Sequence, residues 1–408
     1  MAPFKMTISR MVGALGIVSN LLLRLQWSHL QRLMRVNSLF SENRIVWNFS
    51  HMKEFFFHRE MPVSAKQPLT FGQAGHPLPR SFAFRGETFD TAKWQRARTQ
   101  TAIVVVHKGA IAYEAYYLGT SAEDQRISWS MAKSFLSAAF GIAHSEGLIP
   151  ALDAPVTDYV PELAGTAYDG ASIRNVLNMA SGVRFNEDYL DFYSDINRMG
   201  RVLALGKSMD AFAMSLTERA RGPGLRRQYV SIDTHVLGMV LRAASGRSVP
   251  DYLSDNILIP LGMEGDATYL TDGSGCAFVL GGLNMRTRDY ARFGVLMAHG
   301  GRLGARQIIP AEWVRQSTRQ SAPPPCAADA DTDNGLLGYG YQWWLPPDAE
   351  TGEFFAIGIY GQYIYVNSAQ DVVIAINAGD RNFRDGNGRI TLTNIAMFRA
   401  IVADLSGR

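Results

Sequence analysis

The sequence predicts an α/β fold, an α+β sandwich, in which one sheet is assembled from both ends of the chain around a helical insert. Three observations predict it. TAIVVVHKGAIAYEAYYLG holds two β-type runs separated by a Lys-Gly turn. FFAIGIYGQYIYVNSAQDVVIAINAG, far down the chain, holds three more. Between them SIRNVLNMASG, DINRMGRVLALG, MDAFAMSLTERARGPG and THVLGMVLRAASG read mostly as helices joined by loops.

The elements follow in order. Residues 1–60 read as a helical, aromatic-rich extension ending in HMKEFFFHREM. PVSAKQPLTFGQAGHPLPR is punctuated by Pro and Gly and reads as an irregular connection. The hairpin comes next, then an alanine- and leucine-rich run beginning near Ser130 and closed by Gly147, the pattern of a buried helix with a glycine stop. SAPPPCAADADTD, residues 321–333, reads as an exposed loop, and ITLTNIAMFRAIVADLSG as a closing amphipathic helix. Residues 61–150 and 276–408 are thus expected to form a sheet domain, with residues 151–275 as a helical domain.

Length and composition bound the function. A chain of 408 residues, 47% hydrophobic and 19% charged, has enough apolar material for one large or two intermediate cores. Its 40 basic and 37 acidic residues nearly balance, and no long basic run carries interleaved aromatics, which argues against a nucleic-acid partner. Cys276 and Cys326 form no CxxC pair, and the eight histidines are scattered without H-x-x-x-H spacing, so neither metal nor cofactor is expected.

Near the start, MVGALGIVSNLLL is shorter than the roughly 20 residues that span a bilayer. No small-x-small cleavage site follows it. RLQWSHLQRLMR then repeats leucine and arginine at helical spacing, so an amphipathic helix is preferred. Packing on the protein's own body, peripheral membrane contact through residues 1–35 and a cleaved signal remain open. Cytoplasm and membrane surface are preferred over periplasm, and the sequence leaves the oligomeric state undetermined.

Two Ser-x-x-Lys pairs occur, Ser50 with Lys53 and Ser130 with Lys133. A serine hydroxyl needs a neighbouring base to become a nucleophile, and this spacing puts both side chains on one helical face. Ala132, Phe135, Leu136, Ala138, Ala139 and Phe140 give Lys133 an apolar setting, which disfavours its charged form. If Ser130 opens the helix, its backbone N–H points at a developing oxyanion. Ser50 and Lys53 lie among His51, Glu54, His58, Arg59 and Glu60, and Ser50 reads as a helix cap.

About a hundred residues on, Tyr229 and Ser231 follow a Pro-Gly turn and precede a helix, and in AIGIYGQYIYV Gly358 marks a place of close backbone approach, with Ile359 next. No G-x-S-x-G occurs, which argues against an α/β-hydrolase. The order Ser-x-x-Lys, Tyr-Val-Ser, Gly-Ile resembles the serine β-lactamase and penicillin-binding-protein superfamily. NVLNMASGV, DYLSDNILIPLGM, GGLNMRTRDYARFGVLM and IIPAEWV extend the resemblance over about residues 80–400, within its class C-like branch. Tyr-Val-Ser and Gly-Ile-Tyr-Gly-Gln look most like the 6-aminohexanoate-dimer hydrolases and related carboxylesterases.

The resemblance implies a β-lactamase/transpeptidase-like fold with an antiparallel sheet. It implies a serine hydrolase acting through an acyl-enzyme on carboxylic esters or linear amides. Ser130 would be the nucleophile, Lys133 its proton partner and Tyr229 the second general base/acid. The backbone N–H groups of Ser130 and Ile359 would form the oxyanion hole, and Ser231 and Gly358 would contact substrate.

Two departures stand out. Ala356-Ile357-Gly358 replaces Lys-Thr-Gly, and Ser231 stands where asparagine is usual. Both favour a simple ester or linear amide over a β-lactam. The alternatives are a β-lactamase, a D-alanyl-D-alanine carboxypeptidase, or a non-catalytic peptide-binding relative. Glu187, Asp188, Asp191 and Asp195 crowd NEDYLDFYSDINRM. They read either as a solvated acidic loop or, as the resemblance to the amide hydrolases implies, as an attractor, through Asp195, for a cationic end of the substrate. His235 is expected to be structural.

Overall fold

The structure, a computed structural model, describes residues 32, 34–329 and 332–407. The amphipathic segment near the start, and with it most of the membrane reading for residues 1–35, lies outside them. Among the described residues no helix is long and apolar enough to cross a membrane.

Eight strands form the main sheet: β1 (Gly72–Gln73), β2 (Gln100–His107), β3 (Ala110–Tyr116), β4 (Gly338–Gly340), β5 (Trp343–Leu345), β6 (Glu353–Gly358), β7 (Gln362–Asn367) and β8 (Val372–Ala378). Their order is β4-β5-β6-β7-β8-β2-β3-β1, so strands from the two ends of the chain meet where β8 pairs antiparallel with β2, Val372 opposite His107. The Lys-Gly turn is present, with Lys108 and Gly109 both at positive φ, the geometry that matches the twist of a two-residue hairpin. Every pairing is antiparallel except the edge pair β1–β3, which runs parallel because β2 intervenes between them in the chain.

Strand alternation divides the core into two layers. Val104 and Val106 of β2, Ile364 and Val366 of β7, and Val373 and Ala375 of β8 face the larger core. Ile103, Val105, Tyr363, Tyr365, Ile374 and Ile376 face the opposite side, beneath Phe398, Ile401 and Val402. Those last three belong to the closing helix α4 (Arg389–Leu405). On the larger-core side, helix α3 (Thr287–Ala298) crosses the sheet at Gly294, where a Cβ would come within 2.5 Å of Val373 Cγ1. Helices α1 (Ala132–Ser145) and α2 (Ser231–Ser245) lie against each other beyond α3, with Phe135 stacked on Phe293 at 3.7 Å between ring centroids. Burying such rings is the main stabilising term; truncating one to alanine costs about 3–5 kcal/mol.

The expected helical extension ends differently. Phe57–Met61 is a strand, paired with Ala267–Thr271 in a second, four-stranded sheet completed by Leu283–Met285 and Arg126–Ile127. Its end is fixed by long-range pairing that local composition does not encode. Ser50 is not a cap either. It is the last residue of a short helix, Ile45–Ser50, and its hydroxyl accepts from the buried Arg126 guanidinium at 3.0 Å. Lys53 pairs with Glu60 at 3.7 Å, both side chains exposed.

Candidate active site

The strand Arg126–Ile127 delivers the chain to a single 3-10 turn, Trp129–Met131, from which α1 departs. Ser130 sits in that turn. Trp129, just before it, has φ +43°, a conformation that costs a bulky residue about 1–3 kcal/mol and persists only when packing fixes it. The packing is aromatic: Phe49 lies 5.5 Å, Phe40 5.9 Å and Tyr360 6.3 Å from the indole.

At the second residue of α1, Lys133 is buried, and its ammonium donates to the Leu280 carbonyl at 2.9 Å. Burial pushes its pKa down to about 7, against the opposing pull of Glu187 and Asp233. Tyr229 lies alongside, with Nζ of Lys133 5.5 Å from its ring centroid. The phenol stacks on Trp344 at 5.3 Å and shares the cleft lining with Ser130. Burial raises the Tyr229 pKa well above its ordinary value, so the hydroxyl keeps its proton at neutral pH.

The third wall is the end of β6. A Cβ on Gly358 would stand 2.3 Å from the Ser128 carbonyl oxygen, so only glycine lets this strand lie against the chain leading to Ser130. Beyond it, Tyr360 and Gly361 both take positive φ. The Gln362 side-chain amide holds this turn, donating to the carbonyls of Ile359 at 3.2 Å, Tyr360 at 3.1 Å and Ala378 at 2.7 Å. Ile359 is therefore carried on a turn that is strained and tied down at once.

Ser130, Tyr229, Trp344, Gly358 and Ile359 line one cleft of about 570 Å³. Lys133 stands behind it, and the structure brings these groups together from four separate segments. Two of the sequence-derived binding residues are elsewhere. Ser231 is buried, and its hydroxyl and backbone N–H both donate to Glu187, the latter at 3.0 Å. Asp195 stands at the start of the helix Asp195–Ala204, where its carboxylate accepts from the Asn186 N–H at 2.8 Å and pairs with Arg198 at 3.2 Å. It holds the base of the acidic loop and is not among the cleft-lining residues.

Two carboxylates near Lys133 went unrecognised as site residues in the sequence. Glu187 turns inward from the loop, accepting also from the Tyr189 hydroxyl at 2.9 Å; burial pushes its carboxyl up while these donors and Lys133 oppose the shift. Asp233, on α2, accepts from Tyr168 and Ser181, each at 2.8 Å, and burial pushes it up to about 7. Only the nearness of Glu187 to a run of acidic residues, and of Asp233 to Tyr-Val-Ser, was visible beforehand.

His235 is structural. Its Nε2 contacts Asp210 Oδ1 at 2.7 Å, and Arg242 grips both oxygens of the same carboxylate at 2.7 and 2.8 Å. Cys276 completes a trio of metal-ligating residue types with Asp210 and His235. The donor set does not fit a divalent cation: the Arg242 charge already occupies the carboxylate, and burial pushes the thiol up to about 12, away from the thiolate a metal needs.

A serine, a buried lysine of lowered pKa and a protonated tyrosine converging on a cleft are the parts of an acyl-transfer hydrolase. Residues 86–395 match the family described as Beta-lactamase, and this chain belongs to that family. It is a serine hydrolase. The 6-aminohexanoate-dimer hydrolase of Paenarthrobacter ureafaciens is 30% identical over 339 residues, covering 80% of this chain and 83% of the relative. Among solved structures, a Bacillus anthracis protein provisionally described as a 6-aminohexanoate-dimer hydrolase superposes with a TM-score of 0.77 at 23% identity, covering 90% of this chain and 96% of that one. A family VIII carboxylesterase superposes with a TM-score of 0.54 at 16% identity, covering 76% and 97% respectively. Both share the fold.

Proposed function

We propose that the protein hydrolyses carboxylic esters or linear amides, including amides of the 6-aminohexanoate type, through an acyl-enzyme on Ser130. The observation that carries this reading is the buried Lys133 ammonium, brought to a pKa of about 7 beside a Tyr229 phenol that neighbours Ser130.

Neutral Lys133 takes the Ser130 hydroxyl proton, with Tyr229 passing it, as Oγ bonds to the substrate carbonyl carbon. The carbonyl π electrons move onto oxygen, and the backbone N–H groups of Ser130 and Ile359 receive the oxyanion. Collapse reforms the carbonyl and breaks the bond to the leaving alcohol or amine, which departs with the proton. Water then attacks the acyl carbon, gives its proton back through the same pair, and frees the acid and Ser130.

Side-by-side assays test the substrate class: p-nitrophenyl esters of graded chain length, a linear 6-aminohexanoate amide and a chromogenic cephalosporin. Turnover of esters or the linear amide, lost in Ser130→Ala, is expected, with the cephalosporin poorly used because no cation stands at Ala356, the strand position from which a lysine would meet its carboxylate. A fluorophosphonate probe that labels Ser130→Ala as well as it labels the wild type would refute the assignment of the nucleophile.

A further inference from the structure

Among the described residues lining the cleft, Arg384 is the one cationic side chain. It comes from the loop between β8 and α4, where the third sequence motif would have led one to look for a lysine at Ala356. Its guanidinium lies 5.6 Å from the centroid of the Tyr189 ring, within cation–π range. The preceding residue, Phe383, packs on Tyr360 at 4.8 Å, which ties this arginine to the turn carrying Ile359.

Three carboxylates share the cleft with it, and none neutralises it firmly. Glu187 is turned inward onto Ser231 and Tyr189. Asp329 is half-buried, and burial pushes its carboxyl up. Asp188 pairs with Arg384 at 3.8 Å, and both side chains are about half exposed. A pair so long and so wet contributes little, whereas a carboxylate meeting the guanidinium fork in two parallel hydrogen bonds is held firmly. The N-terminus of α4, at Gly388 with no side-chain cap, opens into the same cleft and adds potential of the same sign.

We propose that Arg384 is a specificity-determining residue that receives a carboxylate at one end of the substrate, displacing Asp188. The proposal rests on the reading of the cleft as a hydrolase site and narrows it to esters and linear amides bearing an anionic terminus.

The test compares p-nitrophenyl butyrate with the mono-p-nitrophenyl ester of glutaric acid, which differs by a terminal carboxylate. The readout is the ratio of kcat/KM on the anionic ester to that on the neutral one. Arg384→Ala is expected to lower this ratio about tenfold, the scale of one charge-assisted hydrogen bond. Arg384→Lys should lower it less, and Arg384→Glu more. An unchanged ratio in Arg384→Ala, or a ratio that Arg384→Glu fails to lower, overturns the proposal.

A measurement independent of turnover uses calorimetric binding of glutarate to the Ser130→Ala protein. Adding Arg384→Ala should weaken binding about tenfold by the same reasoning; equal affinity, or no binding to either protein, again overturns it. Ester turnover that persists in Ser130→Ala would instead strike the assignment of the nucleophile, so the two failures are distinguishable.

Discussion

The Phe40 ring stacks on the Tyr360 ring, centroids 4.9 Å apart and planes 14° from parallel. Phe40 belongs to the segment before the first sheet strand, and Tyr360 to the turn directly after Ile359. The same phenylalanine reaches Trp129, just before Ser130. Both strained residues flanking the proposed reaction centre therefore lean on one side chain from the start of the described chain. Phe40→Ala removes aromatic contacts worth about 1 kcal/mol. If the turn relaxes by that amount, kcat falls about fivefold while the melting temperature drops by only a few degrees. Steady-state kinetics beside a thermal melt check this; a large melting shift with unchanged kcat contradicts it.

Lys133 sets the acidic limb of activity. It must be neutral to accept a proton, so kcat/KM rises with pH through about 7. The Glu187 carboxylate raises the pKa of that lysine. Glu187→Gln removes this pull, so the limb moves to lower pH while the Ser231 contacts can be kept by the amide. A pH profile on a neutral ester measures the displacement; movement toward higher pH would reverse the assigned sign.

The same burial costs stability. Folding lowers the Lys133 pKa from 10.5 to about 7, so between those values the unfolded chain binds more protons and stability rises with pH. Below about pH 7 the full penalty applies. Lys133→Met, of similar length and uncharged, is expected to raise the melting temperature by several degrees at pH 7 while abolishing hydrolysis. The gain should shrink toward pH 10, which differential scanning at several pH values reads directly.

Tyr229→Phe keeps the stack on Trp344 and removes only the hydroxyl, so the fold survives and kcat falls about 10²-fold or more. A variant with near wild-type kcat would remove Tyr229 from the proton path.

Gly358→Ala drives a methyl group against the Ser128 carbonyl, a backbone atom that cannot swing aside. Overpacking of this kind costs about 1–3 kcal/mol, and the displaced strand carries Ile359 with it. Activity on every ester should fall together, in contrast to the selective effect expected at Arg384.

Local chemistry was legible and long-range pairing was not. Lys108-Gly109, Gly147 and the apolar face around Lys133 each carry their signal within a few residues, and the hairpin, the helix stop and the buried lysine stand where that signal puts them. The order Ser-x-x-Lys, Tyr-Val-Ser, Gly-Ile pointed to the family for the same reason. Glu187 looked like one more member of a solvated acidic loop, because its partner, the Ser231 N–H, is 44 positions away. Asp195 drew attention by its charge, although the structure uses that charge to hold the Asn186 backbone. Arg384 sits in a polar, glycine-rich stretch with no pattern of its own, and only the return of the chain past β8 brings it to the cleft.

The position of β8 has a consequence for how the molecule comes into being. This strand lies between β7 and β2, yet it is the last of the eight to leave the ribosome. Until Val372–Ala378 emerges, β2 waits with one edge unpaired, and the turn bearing Ile359 lacks the Ala378 carbonyl that Gln362 reaches. Pairing over so long a sequence separation is intrinsically slow, and an unpaired strand edge is exposed in the meantime. The cleft is complete only when β8 and the segment after it, which brings Phe383, Arg384 and Thr391 to its lining, are both in place.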